Sequence, residues 1–332
     1  MDNPTEKITS LSSKSIPVAA SKMFTYPTRL ASAWRAEMME INLPGYQLER
    51  PAIEISVRKD STRSLGINTR NIYQKIYEKY AAPLQMDDEY ILDSRYETDG
   101  NIAHIITNVV PRLLVAQKMC DRVTLVLRAN ASTMAKNIYK MLETPVLCTD
   151  KDVVGKLVVA TDNDPGAYEG WYTSIFGNLV FEGCDRQTPE RIFIARKGTR
   201  TLSNESEVEQ ILKGYGFSKV YFEDIPISEQ WSVAINAKIV VALHGAAMSS
   251  LVFSNTGVKV IELFHPGYVV DMYRHMTNAV GGTWCGVTGQ ITQDVIKELD
   301  FNEKSRGFAL TPTRIDPTSL YAALEYMGVS AK

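Results

Sequence analysis

The chain is poor in the side chains that mark metal, redox and nucleic-acid proteins. Its 332 residues include only four cysteines and four histidines, and no Cys-x-x-Cys pair of the zinc or redox type occurs. Basic residues number 36 against 38 acidic ones, which gives a net charge of −2 and no basic excess for a polyanion. We therefore expect no metal site, no cofactor and no nucleic-acid partner.

Long apolar runs are also missing. No stretch approaches the roughly 20 apolar residues of a membrane helix, and residues 1–21 are polar, without the apolar core of a secretory signal. Scattered cysteines in a chain of this size are typical of a cytosolic protein. We expect a flexible lead-in at residues 1–21 and a cytoplasmic protein whose contact with a membrane, if it has one, is peripheral. The sequence does not indicate an oligomeric state.

The rest of the chain alternates between strand and helix patterns. Short β-branched or alternating apolar runs predict strands, at 52–57, 89–93, 122–128, 145–148, 156–160, 191–195, 219–222, 238–243 and 258–264. Helical spacing predicts helices between them, at 71–80, 101–119, 132–142, 204–213, 228–237 and 318–327, with Ser132 and Ser228 as N-caps. This alternation indicates an α/β fold with parallel, doubly wound sheets.

A break in this alternation predicts two domains. Asp162 to Gly166 has strong turn chemistry, so we interpret its two aspartates as part of a turn rather than as a metal-holding triplet. The expected domains are residues 22–165 and 166–332, with the last helix packing on the first domain.

The most informative segment is an apolar strand that ends in His244-Gly245-Ala246 and turns at once into a small-residue helix start. Open α/β sheets bind their ligands at the carboxyl ends of strands, and helix N-termini hold anions. Gly245 lets the backbone come close to a ligand, and His244 can donate to a phosphate or a sugar hydroxyl. A buried histidine with a purely structural role is the alternative, and we favour ligand binding.

Three other features accompany this turn. Arg196 and Arg200 follow a predicted strand, where guanidinium groups could clamp a phosphate; a solvated basic loop is the alternative. Asn204 begins a helix, and capping alone would explain it. Glu262 is an acid among apolar residues and needs a partner, which is either a ribose diol or a buried ion pair.

A phosphate clamp, a His-Gly turn and a ribose-type acid on successive strands describe a nucleotide site. The chain contains neither the Gly-x-Gly-x-x-Gly fingerprint of dinucleotide sites nor a P-loop motif. We therefore expect a nucleotide sugar rather than NAD or ATP, and we expect it as a substrate.

The same residues resemble glycosyltransferase family 61. Over residues 190–285 the resemblance is carried by Arg196, Arg200, Asn204-Glu205, Gly216-Phe217, Glu229-Gln230, Ala237, His244-Gly245-Ala246, Phe253 and Val260-Ile261-Glu262. In the first half, the run from Asn101 to Arg112 is similar to the family's helix with His, Asp and Leu-Pro-Arg. Asn108 stands where an Asp is usual.

The resemblance implies a GT-B-like architecture, in which two Rossmann-like doubly wound domains face each other across a cleft. It implies an inverting, metal-independent transfer to a glycan or glycolipid acceptor, in the synthesis of surface polysaccharides or other glycans. The donor is expected on the C-terminal domain, held by Arg196, Arg200, Asn204, Glu229, His244, Gly245, Ala246 and Glu262. The base is expected from the N-terminal domain. His104 is the first candidate because an unperturbed imidazole titrates near neutrality, followed by Asp99 and Glu97.

Two other functions stay open. A polysaccharide pyruvyltransferase-like enzyme has a similar shape and its own His-Gly turn, but it would use phosphoenolpyruvate and leave Glu262 without a ribose. A non-catalytic nucleotide- or glycan-binding module is favoured by Asn108 in place of the usual acid. Binding of nucleotides would separate the first alternative from a glycosyltransferase, and turnover would separate the second.

Overall fold

The chain forms two compact units, each made of two segments. The computed structural model describes residues 5–26, 38–65, 81–95, 97, 99–162, 164, 166–177, 179, 181, 187–255, 257–298 and 311–332. The first unit consists of Met1–Ser15 and Glu49–Glu182, and the second of Ile16–Leu48 and Gly183–Lys332. This division differs from the predicted domains at 22–165 and 166–332, because residues near the N-terminus belong to both units.

The first unit is built on a mixed sheet. Its strand order is β1–β6–β10–β7–β8–β9, with bounds Thr5–Leu11, Ile53–Ser61, Val153–Ala160, Leu84–Asp93, Val123–Leu127 and Val146–Cys148. β10, β7, β8 and β9 are parallel, whereas β6 is antiparallel to both β1 and β10. The expectation of a parallel sheet is therefore wrong for β1 and β6, and the unit has an α/β sheet of mixed direction.

The helices of the first unit include one with an irregular centre. It runs as α-helix Ile102–His104, π-helix Ile105–Val109 and α-helix Val110–Gln117, which confirms the helix predicted at 101–119. The helix Thr133–Met141 is capped by Ser132, whose hydroxyl accepts from the Ala135 N–H at 3.1 Å, as predicted. The remaining helical segments are Thr62–Leu65, Glu169–Trp171 and Tyr172–Phe176. The predicted helix at 71–80 lies outside the described residues.

The second unit contains a mainly parallel sheet. Its strand order is β12–β11–β13–β14–β15–β3–β4, with bounds Ser218–Tyr221, Arg191–Ala195, Ile239–Leu243, Lys259–Phe264, Thr283–Thr288, Ser21–Thr25 and Met39–Leu43. Only the β3–β4 pair among these neighbours in the described residues is antiparallel. Because both faces of the central strands are covered, β13 and β14 are almost continuous apolar runs. A separate pair joins β2, Lys14–Val18, to β5, Tyr46–Arg50.

The prediction of a flexible lead-in at residues 1–21 is wrong for the described part of that segment. β1 pairs with β6, and β2 pairs with β5. Ile16 and Val18 of β2 are 4% and 2% exposed. The segment is polar because β1 is an edge strand whose side chains are largely exposed. Its composition therefore resembles that of a flexible segment although it forms a strand.

The helices of the second unit are Glu205–Gly214, Ile227–Asn236, Met272–Ala279, Gln293–Glu298 and Pro317–Tyr326, with 3₁₀ segments at Phe222–Asp224 and Ala246–Phe253. The last helix does not pack as predicted, because Leu320 and Leu324 are fully buried in the core of the second unit. Ser228 lies inside its helix and Pro226 holds the N-cap position, so the predicted cap is also wrong.

No helix in the described parts of the chain is long and apolar enough to cross a membrane.

Candidate functional site

A small pocket lies at the carboxyl ends of β13 and β14. His244 follows β13 directly, and its N–H donates to the Leu263 carbonyl of β14 at 2.9 Å. The 3₁₀ segment that starts at Ala246 comes immediately after the turn, and the first N–H groups of such a segment lack helical acceptors. The pocket is lined by Arg200, Leu243, His244, Leu263, His265, Tyr268 and Thr313.

The imidazole of His244 is held by a buried carboxylate. His244 Nδ1 lies 2.6 Å from Glu262 Oε1, and the Trp284 indole N–H donates to Glu262 Oε2 at 2.7 Å. Glu262 is 0% exposed. This complete burial raises the pKa of Glu262, while the hydrogen bonds from His244 and Trp284 act against the rise.

This geometry corrects the predicted ribose contact of Glu262. Both carboxylate oxygens already accept hydrogen bonds, and no part of the side chain reaches the surface. A ribose hydroxyl therefore has no path to it, and the alternative of a buried ionic contact is right. A carboxylate only accepts, so the contact places a proton on His244 Nδ1. Glu262 is thus a positioning group for the imidazole.

The sequence analysis did not identify Trp284 as a partner of Glu262, although the sequence contains a pattern that indicates it. Glu262 faces Gly286 in the β14–β15 register, and a side chain at Gly286 would begin 3.0 Å from Cη2 of Trp284. Because residues two apart in a strand share a face, the bare glycine leaves space that the indole fills. A Trp-x-Gly pattern beside a buried acid was the available clue.

Aromatic rings fix the plane of the imidazole. The ring centroid of His244 lies 5.4 Å from that of Phe264 with the planes 21° apart, 5.3 Å from that of Tyr268 and 5.5 Å from that of Tyr273. Nε2 has no hydrogen-bond partner in the described part of the chain. His244 is 6% exposed, so a fixed ring keeps one nitrogen for a ligand at the pocket.

Arg196 is packed against the His-Gly turn. Its Nη1 donates to the His244 carbonyl at 2.8 Å, and a Cβ atom at Gly245 would lie 1.9 Å from that nitrogen. The φ angle of Gly245 is 163°, which any residue adopts, so the glycine is required by the close approach of Arg196 rather than by its conformation. Burial lowers the pKa of Arg196, and so does the neighbouring charge of Arg200.

Arg200 adds a second guanidinium at the pocket. Its φ is 56°, a left-handed conformation that costs a non-glycine residue about 1–2 kcal/mol. The guanidinium carbon lies 4.8 Å from the ring centroid of Tyr268. Lys197, by contrast, pairs with Asp224 at 2.5 Å on the exposed surface, so it is not part of this positive cluster.

Asn204 is occupied by contacts within the second unit. Its Nδ2 donates to the Ile315 carbonyl and to Glu207 Oε2, each at 2.8 Å, and its Oδ1 accepts from the Ile315 N–H at 3.1 Å. Asn204 therefore anchors the segment that precedes the last helix, and it makes no side-chain cap bond. Glu229 lies in the first turn of helix Ile227–Asn236 and is not among the described residues that line the pocket.

The segment anchored by Asn204 supplies a pocket residue that the sequence did not suggest. Thr313 exchanges backbone hydrogen bonds with Thr201 and Ser203, at 2.9 and 2.8 Å, and thereby lines the pocket beside Arg200. His265 lies on the same wall, with Nε2 3.0 Å from Thr311 Oγ1. No local pattern could have placed Thr313 there, because its partners lie over a hundred residues away.

A second polar cluster lies in the first unit, at the π-helical turn. The amide nitrogen of Asn108 donates to Glu97 Oε2 at 2.6 Å, and Arg112 Nη2 pairs with Glu97 Oε1. Asn108 and Arg112 are 4% and 5% exposed. Glu97, one of the three predicted base candidates, is therefore hydrogen-bonded to Asn108, which stands where the resemblance leads us to expect an Asp.

The other two base candidates lie differently. Asp99 Oδ2 accepts from the Ser132 N–H at 2.8 Å, and the Asp99 carbonyl accepts from the Ser132 hydroxyl at 2.7 Å, which fixes the start of helix Thr133–Met141. His104 is half-buried, and its side chain makes no hydrogen bond with the described residues. Asp99 is thus engaged in local structure, and His104 lacks a group that would orient its ring.

Gly245→Ala is expected to destabilise the protein, because the new methyl group must displace the Arg196 guanidinium or shift the turn. Overpacking of this kind costs about 1–3 kcal/mol, which a thermal melt of the ligand-free protein would detect. Gly214→Ala is the matched control: it lies in the same unit with nothing within 4 Å of the added carbon. A melting temperature of Gly245→Ala equal to that of Gly214→Ala would contradict the close approach.

A family model matches the middle of the chain and includes Asn108, Arg112 and His244, whereas Glu97 and Glu262 lie just outside the matched range. The model described as Glycosyltransferase 61 matches residues 102–261, a range that runs from the start of the helix with the π-helical turn into β14. No curated protein matches the chain significantly. The family implies glycosyltransferase activity, and the resemblance to glycosyltransferase family 61 predicted from the sequence is confirmed over residues 102–261.

Proposed function

We propose that the protein transfers a sugar from a nucleotide-sugar donor to a glycan or glycolipid acceptor in surface polysaccharide or glycan synthesis. The second unit binds the donor and the first activates the acceptor, as the two Rossmann-like halves of a GT-B-like architecture. The transfer inverts the anomeric configuration and does not use a metal. The observation that carries this proposal is His244, held by buried Glu262 at the strand ends beside Arg196 and Arg200.

The chemistry of the leaving group explains why such a cluster is useful. As the bond from the anomeric carbon to the diphosphate breaks, negative charge develops on the diphosphate oxygens. Donors already fixed in place stabilise this charge without reorganisation. Glu262 already holds Nδ1 of His244, which leaves Nε2 for the anion, and an imidazolium ring donates from both nitrogens. Arg200 supplies a second positive group at the same pocket.

Glu262 no longer helps to separate the two enzyme hypotheses. A pyruvyltransferase-like enzyme was expected to leave Glu262 without a ribose, but the carboxylate is occupied by His244 and Trp284 in either case. The choice between the enzymes therefore rests on ligand binding. The cytoplasmic location and the absence of a cofactor stay predictions.

A binding screen tests the proposal directly. We expect one of UDP, GDP or CMP to raise the melting temperature, because a ligand at a hundred times its Kd stabilises the folded state by about 2.7 kcal/mol. The corresponding nucleotide sugars should then release free nucleotide when incubated with the protein. Stabilisation by phosphoenolpyruvate alone would support the pyruvyltransferase alternative. Binding of a nucleotide without any release would support a non-catalytic module.

A further inference from the structure

One carboxylate in the first unit is held in place while part of it stays accessible. The side chain of Glu97 is 21% exposed, and each of its oxygens accepts from one buried neighbour, Arg112 or Asn108. A carboxylate offers about four lone-pair positions. Glu97 is therefore oriented by two donors and can still accept from a third group.

The orientation of the Asn108 amide follows from the same contact. A carboxylate cannot donate a hydrogen bond, so the nitrogen of the amide must face Glu97 and the oxygen must face away. That oxygen is buried and has no hydrogen-bond partner among the described residues. Leaving a buried acceptor unsatisfied costs about 1–3 kcal/mol, and such groups are often found at functional positions. An unsatisfied acceptor beside a held carboxylate suits a ligand hydroxyl, which can donate.

The backbone around Asn108 is also unusual. Asn108 lies in the π-helical segment Ile105–Val109, and single π turns inside α-helices occur frequently at functional sites. Arg112, in the following helical turn, reaches both the Asn108 carbonyl, at 3.3 Å from its Nε, and the Glu97 carboxylate. The helix therefore presents an amide and a guanidinium to one acid.

We propose that Glu97 is the general base that activates the acceptor, with Asn108 and Arg112 as positioning residues; this inference rests on the proposed function. The acceptor hydroxyl gives its proton to a Glu97 oxygen, and the hydroxyl oxygen forms the new bond to the anomeric carbon. The bond from that carbon to the diphosphate breaks, and its electron pair leaves on the nucleotide diphosphate. Asp99 and His104 take no part in the proton transfer.

This assignment also explains how an amide can occupy position 108. A carboxylate there would lie within hydrogen-bond distance of Glu97, and two carboxylates so close cannot both ionise readily. An amide removes the repulsion and donates to the acid instead. In this chain the carboxylate lies in the segment before the helix.

Three variants test the proposal: Glu97→Gln, Asn108→Asp and the double variant Glu97→Gln with Asn108→Asp. The readouts are the rate of nucleotide release from the donor found in the nucleotide screen, the Kd of the corresponding nucleotide and the melting temperature. General-base catalysis contributes about 10²–10⁴-fold, so Glu97→Gln should lose at least about a hundredfold in rate with an unchanged Kd. The double variant restores a carboxylate to the cluster and should recover about tenfold or more.

A purely structural role would give a different pattern. If Glu97 only neutralised Arg112, Glu97→Gln would lower the melting temperature and keep its rate within about threefold of wild type, which would overturn the assignment. A double variant that folds as stably as wild type but releases nucleotide no faster than Glu97→Gln would also overturn it. Wild-type protein that binds none of the nucleotides and releases none would instead refute the proposed function itself, and the assignment with it.

Discussion

His244→Asn is expected to slow nucleotide release from the donor by about 10²–10³-fold, the usual effect of removing one fixed donor to a developing anion. Asparagine can place its amide nitrogen where Nδ1 of His244 lies, so the hydrogen bond to Glu262 at 2.6 Å should survive. The nitrogen at the pocket, Nε2, has no counterpart in the variant. The rate should therefore fall although the fold is kept, which steady-state release and a thermal melt would show together.

Two other variants make this experiment specific. His244→Ala removes both nitrogens and leaves Glu262 with Trp284 as its remaining hydrogen-bond donor among the described residues, so it should also cost about 1–3 kcal/mol of stability. Trp284→Phe keeps the imidazole and removes only the indole bond, so it should slow release far less than His244→Asn. If His244→Asn releases nucleotide at more than about a third of the wild-type rate, His244 does not stabilise the leaving group.

Arg95→Met is expected to give a large loss of stability in the first unit. Arg95 and Asp93 side chains are 1% and 0% exposed, and two guanidinium nitrogens donate to the carboxylate at 2.9 and 2.8 Å. Further bonds reach Thr62 Oγ1 at 2.8 Å and the Lys151 carbonyl at 2.6 Å. Removing one partner of a buried pair costs about 3–5 kcal/mol, which should lower the melting temperature by about 10 °C.

Matched variants separate two contributions to this loss of stability: the buried charge of Asp93 that is left unpaired, and the lost packing of the Arg95 side chain. Arg95→Met combined with Asp93→Leu removes both charges, and such replacements are often neutral or stabilising, so the double variant should melt well above Arg95→Met. Lys7→Met breaks an ion pair with Glu54 that is about half exposed and should change stability by less than about 1 kcal/mol. Equal melting temperatures for Arg95→Met and Lys7→Met would show that the buried pair is not needed.

Local patterns in the sequence predicted the elements that carry the pocket around His244. The β-branched run before His244 forms β13, and the largely apolar run at 258–264 forms β14. Both strands are covered on two faces, so their sequences are almost entirely apolar. Ser132 was found as a cap because capping depends on the next three residues alone. These features are set within a few residues of chain.

Long-range pairings were not predictable in the same way. Glu262 reads as an acid in need of a partner, but its neighbour Trp284 lies one strand further on and is fixed only by the sheet register. Asn204 reads as a helix cap, and its amide instead holds Ile315, more than a hundred residues later. The amphipathic face of the last helix predicts burial without saying against what, and tertiary packing placed it in the second unit.

The place of β3 limits how the protein can be divided. β3, residues Ser21–Thr25, lies between β15 and β4 in the second unit's sheet, although it precedes the main part of that unit by more than 150 residues. A fragment beginning at residue 183 would leave the backbone N–H and C=O groups along one side of β15 unpaired, and such open edges promote aggregation. The second unit is therefore not a portable module: a recombination event that moved residues 183–332 alone would leave the N-terminal strand behind.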